Sequence, residues 1–180
     1  MPFMSFVTRS CNRPDALKRC CASINNQTDK DFEHVLLVDT VRRGYHFANK
    51  QFYVNRHRVT GDYVYLLDDD DYLIEPNFIK YIKNIVTSNS PDVIMVKMQT
   101  EANIFPLPDV WKKRPICGSI GTSCFCVSNK VFQLHIKAFT QTCGGDCHFI
   151  KEVFKHGYKI FWFDKIIARI DAAHRTHMKK

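Results

Sequence analysis

The 180-residue chain lacks several features, and each absence excludes a class. No apolar run approaches the ~18 residues of a membrane-spanning helix, so a membrane-embedded chain is excluded as an expectation. The N-terminal MPFMSFVTRSCNRPD has no basic segment followed by a long apolar one, so no secretory leader is expected. Eight cysteines are present, at 11, 20, 21, 117, 124, 126, 143 and 147, yet none form a CxxC pair. The usual zinc-ribbon and zinc-finger spacings are therefore missing. Cys143, Cys147 and His148 are the one group close enough in sequence to suggest a metal, but reduced and mostly buried thiols in a cytoplasmic chain are the expectation. There is no internal repeat and no low-complexity segment. Thr8 to Asp15 contains no glycine, which removes the Gly-rich phosphate loop that a nucleotidyltransferase on a related sheet would carry.

What is present is a chain with 45% apolar residues and a net charge of +8, long enough for one domain with a substantial core. Its acidic residues nevertheless concentrate at one place. Tyr63 to Leu73 reads YVYLLDDDDYL: a short apolar run, as in a buried strand, entering four consecutive aspartates, Asp68 to Asp71. Four carboxylates repel one another and are costly to bury unpaired. Two readings are open: a hard divalent cation bound by oxygen ligands, or a solvated acidic turn before a helix. A basic body around an acidic pocket suits a metal-bridged phosphorylated ligand. It also suits nucleic acid or an anionic membrane surface, although no nucleic-acid-binding motif with the required spacing is present.

Along the chain, Phe3–Thr8 reads as a strand. Asn12-Arg13-Pro14-Asp15 then opens a helix, with Pro and an acid in its first turn and Leu17, Cys20, Cys21 and Ile24 at helical spacing. Phe32–Val38 is a second strand ending at Asp39, and residues 42–58 carry a rough helical face. Tyr63–Leu67 is a third strand, a helix starts at Glu75-Pro76-Asn77, and Asp92–Met98 is a fourth strand. Alternation of strand and helix predicts a mostly parallel sheet flanked by helices, with ligands outside the strands' carboxyl ends. Residues 11–13, Asp39 and Asp68–Asp71 should then line one crevice. Gln99–Cys117 reads as a long loop, Ser119–Val127 as a strand, and Asn129–Phe139 as a helix. A further helix opens at Cys143-Gly144-Gly145-Asp146 and ends at Gly157, and strands follow at Tyr158–Phe163 and Ile166–Ile170.

The order and spacing of three motifs carry a resemblance. Asn12-Arg13-Pro14 with Asn26-Gln27-Thr28 and Asp31-Phe32-Glu33, then GDYVYLLDDDD, then GGDCHFIKEVFKHGYKI resemble the conserved segments of family-2 glycosyltransferases. The likeness covers nearly the whole chain. It implies an α/β, single-domain nucleotide-diphospho-sugar transferase (GT-A) fold over residues 1–180. Residues 1–98 would form the nucleotide-binding half, 99–172 the acceptor and catalytic half, and 173–180 a basic tail. It implies an enzyme that moves a sugar from a nucleotide-diphosphate donor, UDP-sugar favoured, to an acceptor hydroxyl with inversion, using Mn²⁺ or Mg²⁺. In this resemblance Asp70, with Asp68 and a late histidine, His174, would ligate the metal. Arg9, Cys11, Arg13, Asp39, Asp68 and Asp69 would hold the donor, and Asp146 would be the general base. Asp71 is expected to cap the following helix. Asp39 and Asp146 also have plain readings, as a strand-end turn residue and a helix cap. The family's Asp-Asp-Gly-Ser is Val38-Asp39-Thr40-Val41 here, and the acidic residue before its catalytic aspartate is Gly145. Asp68 follows Asp39 by only 29 positions, a shorter stretch than the family usually spends there. The rival reading is a non-catalytic nucleotide- or nucleic-acid-binding module on the same fold. Nucleic acid is not the expected partner, and a cytoplasmic location, with or without attachment to a membrane surface, is.

Overall fold

The computed structural model describes residues 1–141 and 144–170. Strand β1 (Met4–Cys11) leads into helix α1 (Pro14–Asn25), strand β2 (Phe32–Asp39), helix α2 (Gly44–Val54) and strand β3 (Tyr63–Leu66). A short strand β4 (Asp71–Leu73) precedes α3 (Phe78–Asn89), β5 (Val93–Gln99) and β6 (Ile104–Phe105). Strand β7 (Phe125–Ser128), helices α4 (Asn129–His135) and α5 (Gly145–Lys155), and strand β8 (Ile160–Ile170) complete the described chain.

The strand order is β2-β1-β3-β7-β5-β8-β4, with β6 on β5. Strands β2, β1 and β3 are mutually parallel, as strand–helix alternation requires. Strand β7 enters antiparallel between β3 and β5, and β8 lies parallel to β5. The sheet is therefore mixed beyond β3. Where two strands were expected near the end, Ile160–Ile170 runs as one, with its register against β5 shifting around Met95–Met98.

The apolar faces meet as the sequence pattern requires. Ala16, Cys20 and Ile24, at spacings of four, bury one stripe of α1, and Phe78, Ile79, Ile82 and Ile85 do so for α3. Phe6, Tyr65 and Phe78 form an edge-packed centre, with Tyr65 and Phe78 ring centroids 4.8 Å apart. Burying each such ring contributes about 1.5–3 kcal/mol. The buried Tyr65 hydroxyl donates to the Ser123 carbonyl at 2.6 Å, so its polar end is satisfied.

Two segments that carry the family resemblance are scaffolding. Gln27 is buried; its Nε2 donates to the Glu75 carbonyl at 2.8 Å and its Oε1 accepts from the Ile79 N–H, pinning the α1–β2 turn to the start of α3. Glu33 accepts from Ser5 Oγ, Thr60 N–H and Gly61 N–H, which ties β2 to the turn before β3. That turn needs glycine: a Cβ at Gly61 would lie 2.7 Å from the Ser5 backbone nitrogen.

No helix among the described residues is long and apolar enough to cross a membrane.

Candidate active site at the carboxyl ends of the strands

Parallel pairing of β1 with β2 and β3 puts their carboxyl ends at one edge of the sheet. Cys11 is in register with Asp39, and Val7 with Leu66. The loop after β3, Leu67–Asp70, therefore emerges beside Arg9–Arg13. Strand–helix alternation predicts that a ligand binds along this edge.

Two arginines from the first strand and loop meet the aspartates. Arg9 forks onto Asp68, with Nε–Oδ1 2.6 Å and Nη2–Oδ2 3.1 Å. Its Nη1 donates to Asn49 Oδ1 of α2. The guanidinium also lies 4.9 Å from the Phe52 ring centroid and 5.7 Å from that of Phe139, within cation–π range. Arg13 Nη1 reaches Asp69 Oδ1 at 3.0 Å and Asp70 Oδ2 at 3.2 Å. Both arginines thus neutralise the acidic loop. Asn49, Phe52 and Phe139 were not legible as site residues. Phe52 and Phe139 read as helix-face apolars, and a buried polar residue on α2 leaves no mark in the sequence pattern.

Asp71 departs from expectation. It is not a helix cap: α3 begins seven residues later, and Asp71 opens β4, pairing with Ile170. It is 3% exposed, and its Oδ2 accepts from Ser123 Oγ at 2.5 Å. The carboxylate is used to join β4 to the segment before β7.

Asp146 lies in the first turn of α5, behind Gly144, whose φ of 85° suits glycine. Its Oδ1 accepts from the Cys147 N–H at 2.8 Å. Burial raises its pKa, and the neighbouring Asp68 charge raises it further, while Arg9 opposes. Asp146 therefore shares the electrostatic field of the acidic loop, although it lies far away in sequence. Asp69 and Asp70 are also raised, in both cases by burial first, with Asp68 adding to it. Arg9 is held charged by Asp68, Asp146 and Asp70 against its own desolvation.

The other expected residues are placed as follows. Asp39 ends β2, and its Oδ1 accepts from the Val41 N–H at 2.9 Å, a turn contact at the crevice edge. Cys11 is half-buried at the end of β1. His174 and Cys143 lie outside the described residues. Cys147 is disulfide-bonded to Cys117, which overturns the expectation of reduced thiols at these two positions and removes Cys147 as a thiolate ligand. Cys20, Cys124 and Cys126 are buried free thiols, and burial pushes Cys20 up to about 12. The disulfide ties the Gln99–Cys117 loop to α5, one residue from Asp146. Trp111 in that loop packs edge-on against Trp162 at 5.0 Å.

The loop offers the oxygen donors that a hard cation takes, although among the described residues Asp68, Asp69 and Asp70 do not bring three ligand atoms within 4.8 Å of one another. Asp68, Asp69 and Asp70 are three mutually repelling, partly or fully buried carboxylates. Asp69 Oδ2 is buried with no hydrogen-bond partner among the described residues. Oxygen donors of this kind suit Mg²⁺ or Mn²⁺. A cation there would share Asp68 and Asp70 with Arg9 and Arg13.

No protein-family model and no curated protein matches the chain. Solved structures do. Against S. aureus TarS the TM-score is 0.72 at 13% identity, covering 96% of this chain and 37% of TarS. Against TarS 1-349 in complex with UDP-GlcNAc it is 0.71 at 14% identity, covering 94% of this chain and 58% of that one. Against the mannosyltransferase PcManGT from Pyrobaculum calidifontis, in complex with GDP-Man and Mn²⁺, it is 0.67 at 10% identity, covering 97% and 58%. The chain thus spans between about one-third and three-fifths of the length of these structures. At such identities the likeness is one of fold, shared along nearly the whole of this chain: the expected α/β arrangement of a central sheet flanked by helices, with a sheet that is mixed where a mostly parallel one was expected.

Proposed function

We propose that the protein transfers a sugar from a nucleotide-diphosphate donor to an acceptor hydroxyl, as an inverting enzyme of the family-2 type. One arrangement carries the reading. Gly145, next to Asp146, packs against Phe139, and the Arg9 guanidinium that holds Asp68 lies over the same ring, so the start of α5 comes to the Arg9–Asp68 pair from the far end of the chain. Neighbours of the same fold were solved with UDP-GlcNAc and with GDP-Man and Mn²⁺.

In this reading the donor diphosphate lies against the loop Asp68–Asp70, beside Arg9 and Arg13. Asp68 and Asp70 are the residues that would hold a divalent cation, which when bound would neutralise charge on the departing diphosphate. Arg13, which bridges Asp69 and Asp70, is the residue positioned to exchange a carboxylate for phosphate oxygens. Asp39, at the end of β2, accepts from the imide N–H of a uracil through its Oδ2, its Oδ1 being held by Val41.

Asp146 takes the proton of the acceptor hydroxyl while that oxygen attacks the anomeric carbon. The bond from that carbon to the phosphate oxygen breaks, and the nucleoside diphosphate leaves with the electron pair. A carboxylate whose pKa is raised by burial and by Asp68 is a stronger base than an exposed one, which suits proton abstraction. Its position in the first turn of α5 keeps the ionised form supported by the helix N-terminus.

The test is a thermal-shift panel of UDP- and GDP-sugars with and without Mn²⁺, on the wild type, Asp70→Asn and Asp146→Asn. A ligand that binds only the folded state raises the melting temperature. One donor should stabilise the wild type in a Mn²⁺-dependent way, and Asp70→Asn should lose that dependence. Asp146→Asn should keep the donor shift and lose transfer by about 10²–10⁴-fold, the usual contribution of a general base. Absence of any donor shift, or a wild-type transfer rate in Asp146→Asn, would overturn the assignment.

A further inference from the structure

A second cluster of ligating side chains lies away from the crevice, where the last residue of α4 meets the C-terminal turn of α5. His135, Glu152 and His156 each offer one ligand atom, and these atoms lie within 4.8 Å of one another. Glu152 of α5 and His156, which caps the end of that helix, are four residues apart and so lie on one side of it. Glu152 Oε1 and His156 Nε2 are 3.2 Å apart. With metal bonds of about 2.0–2.1 Å to nitrogen and oxygen, the edge of a zinc tetrahedron is about 3.3 Å, so this pair already has the separation of two ligands on one ion. The His135 and His156 rings lie 4.5 Å apart and tilted by 39°. Tyr158 Oη lies 2.8 Å from His135 Nε2, a polar partner of the kind that orients a ligating histidine.

We propose that His135, Glu152 and His156 form a Zn²⁺ site, with a fourth position open to water. Two imidazoles and one carboxylate favour zinc over the hard cations that suit the aspartate loop. Lys155 Nζ competes for the site by holding Glu152 Oε2 at 2.7 Å, and leaves Oε1 for the ion. The bound ion would join the end of α4 to the end of α5. The Cys117–Cys147 disulfide fixes the other end of α5, where Asp146 sits. Zinc would therefore act on the seating of the helix that carries Asp146, and the proposal does not depend on the reaction assigned to that residue.

The experiment is equilibrium dialysis of the whole chain against ZnCl₂, with metal analysis, in three proteins: wild type, His135→Gln/His156→Gln, and Asp68→Asn/Asp70→Asn. The expected result is one Zn²⁺ per chain in the wild type and in the aspartate variant, and loss of that ion in the histidine variant. At a 100-fold excess over the dissociation constant the wild-type melting temperature should rise by about 5–10 °C. Tyr158→Phe, which keeps the ring packing, should weaken binding about tenfold. Co²⁺ in place of zinc should give visible d–d absorption that vanishes with the histidines. If the histidine pair variant does not fold, Glu152→Gln serves, with an expected loss of at least tenfold in affinity. A wild type that takes up no zinc, or a histidine or Glu152→Gln variant that holds it as tightly as the wild type, overturns the proposal.

Discussion

Arg9 is the side chain on which the acidic loop rests, and its replacement by methionine measures how much. Arg9→Met keeps an unbranched apolar stem of similar reach and removes the fork. Two charge-assisted hydrogen bonds to Asp68, at 2.6 and 3.1 Å, are lost, together with the contact to Asn49 and the stacking on Phe52 and Phe139. Removing one partner of a buried ion pair costs about 3–5 kcal/mol, chiefly because the remaining charge is stranded. Here Arg9 and Asp68 retain 22% and 19% of their side-chain exposure. Water screens the pair in part, which brings the expected loss to about 2–4 kcal/mol. For a chain of this size that lowers the melting temperature by about 5–15 °C.

A second variant separates stranding from lost packing. In Arg9→Met/Asp68→Leu no charge is left behind, and the Asp68 carboxylate no longer repels Asp70 and Asp146. Most of the stability should return, as it does when both partners of a buried pair become apolar. Denaturant melts of wild type, both single variants and the double close the cycle, with an expected coupling of about 1.5–3 kcal/mol. A loss under about 1 kcal/mol in Arg9→Met, or singles that simply add, would show that Arg9 does not carry the loop.

Two further perturbations test the frame around the site. His34 is held neutral, its pKa lowered to about 4 by burial, with Nε2 2.9 Å from Thr8 Oγ1. An unfolded histidine titrates near ~6.5, so the unfolded state gains protons first on acidification; the stability His34 contributes is complete above about pH 6.5 and is lost as the pH falls toward 4. That loss is at most about 3 kcal/mol, reduced by the ring's partial exposure, and His34→Gln should flatten the wild-type curve in this window. No difference between the two pH profiles would refute it. Reducing the Cys117–Cys147 bridge, 30 residues apart in sequence, should destabilise the fold by about 2–4 kcal/mol. Cys117→Ser/Cys147→Ser should show the same midpoint with and without reductant, and a wild type indifferent to reductant would refute the bridge.

Much of the fold was legible because the first ninety-nine residues obey local rules. Pro14 and Asp15 mark the start of α1, the apolar runs mark β1, β2, β3 and β5, and their parallel order follows from the helices between them. The convergence of Arg9, Arg13 and Asp68–Asp70 follows from that order alone. The second half was less readable, since its pairings are not local. β7 sits between β3 and β5, although it comes after both in sequence. Asp71 looked like a cap, since nothing local reveals that Ser123 lies opposite it or that Tyr72 and Leu73 pair with β8. The disulfide was missed for the same reason: cysteine spacing carries no information about a loop folding back onto α5.

Gly145 shows how packing can explain a departure that sequence alone leaves bare. The resemblance places an acidic residue where this chain has glycine, next to the expected base. A Cβ at Gly145 would lie 2.4 Å from both Phe139 Cδ1 and the Phe139 carbonyl oxygen, so no side chain fits without moving backbone. Phe139 is not free to yield. It is fully buried, packs edge-on against Phe52 at 5.0 Å, and sits under the Arg9 guanidinium. The ring that excludes a side chain at 145 is thus one of the two that support Arg9, and Arg9 in turn holds Asp68. Glycine at 145 is the consequence of an aromatic wedge between α5 and α2, and that wedge links the helix bearing Asp146 to the strand bearing Arg9. The Asp68 charge at the other end of this chain of contacts adds to burial in raising the Asp146 pKa.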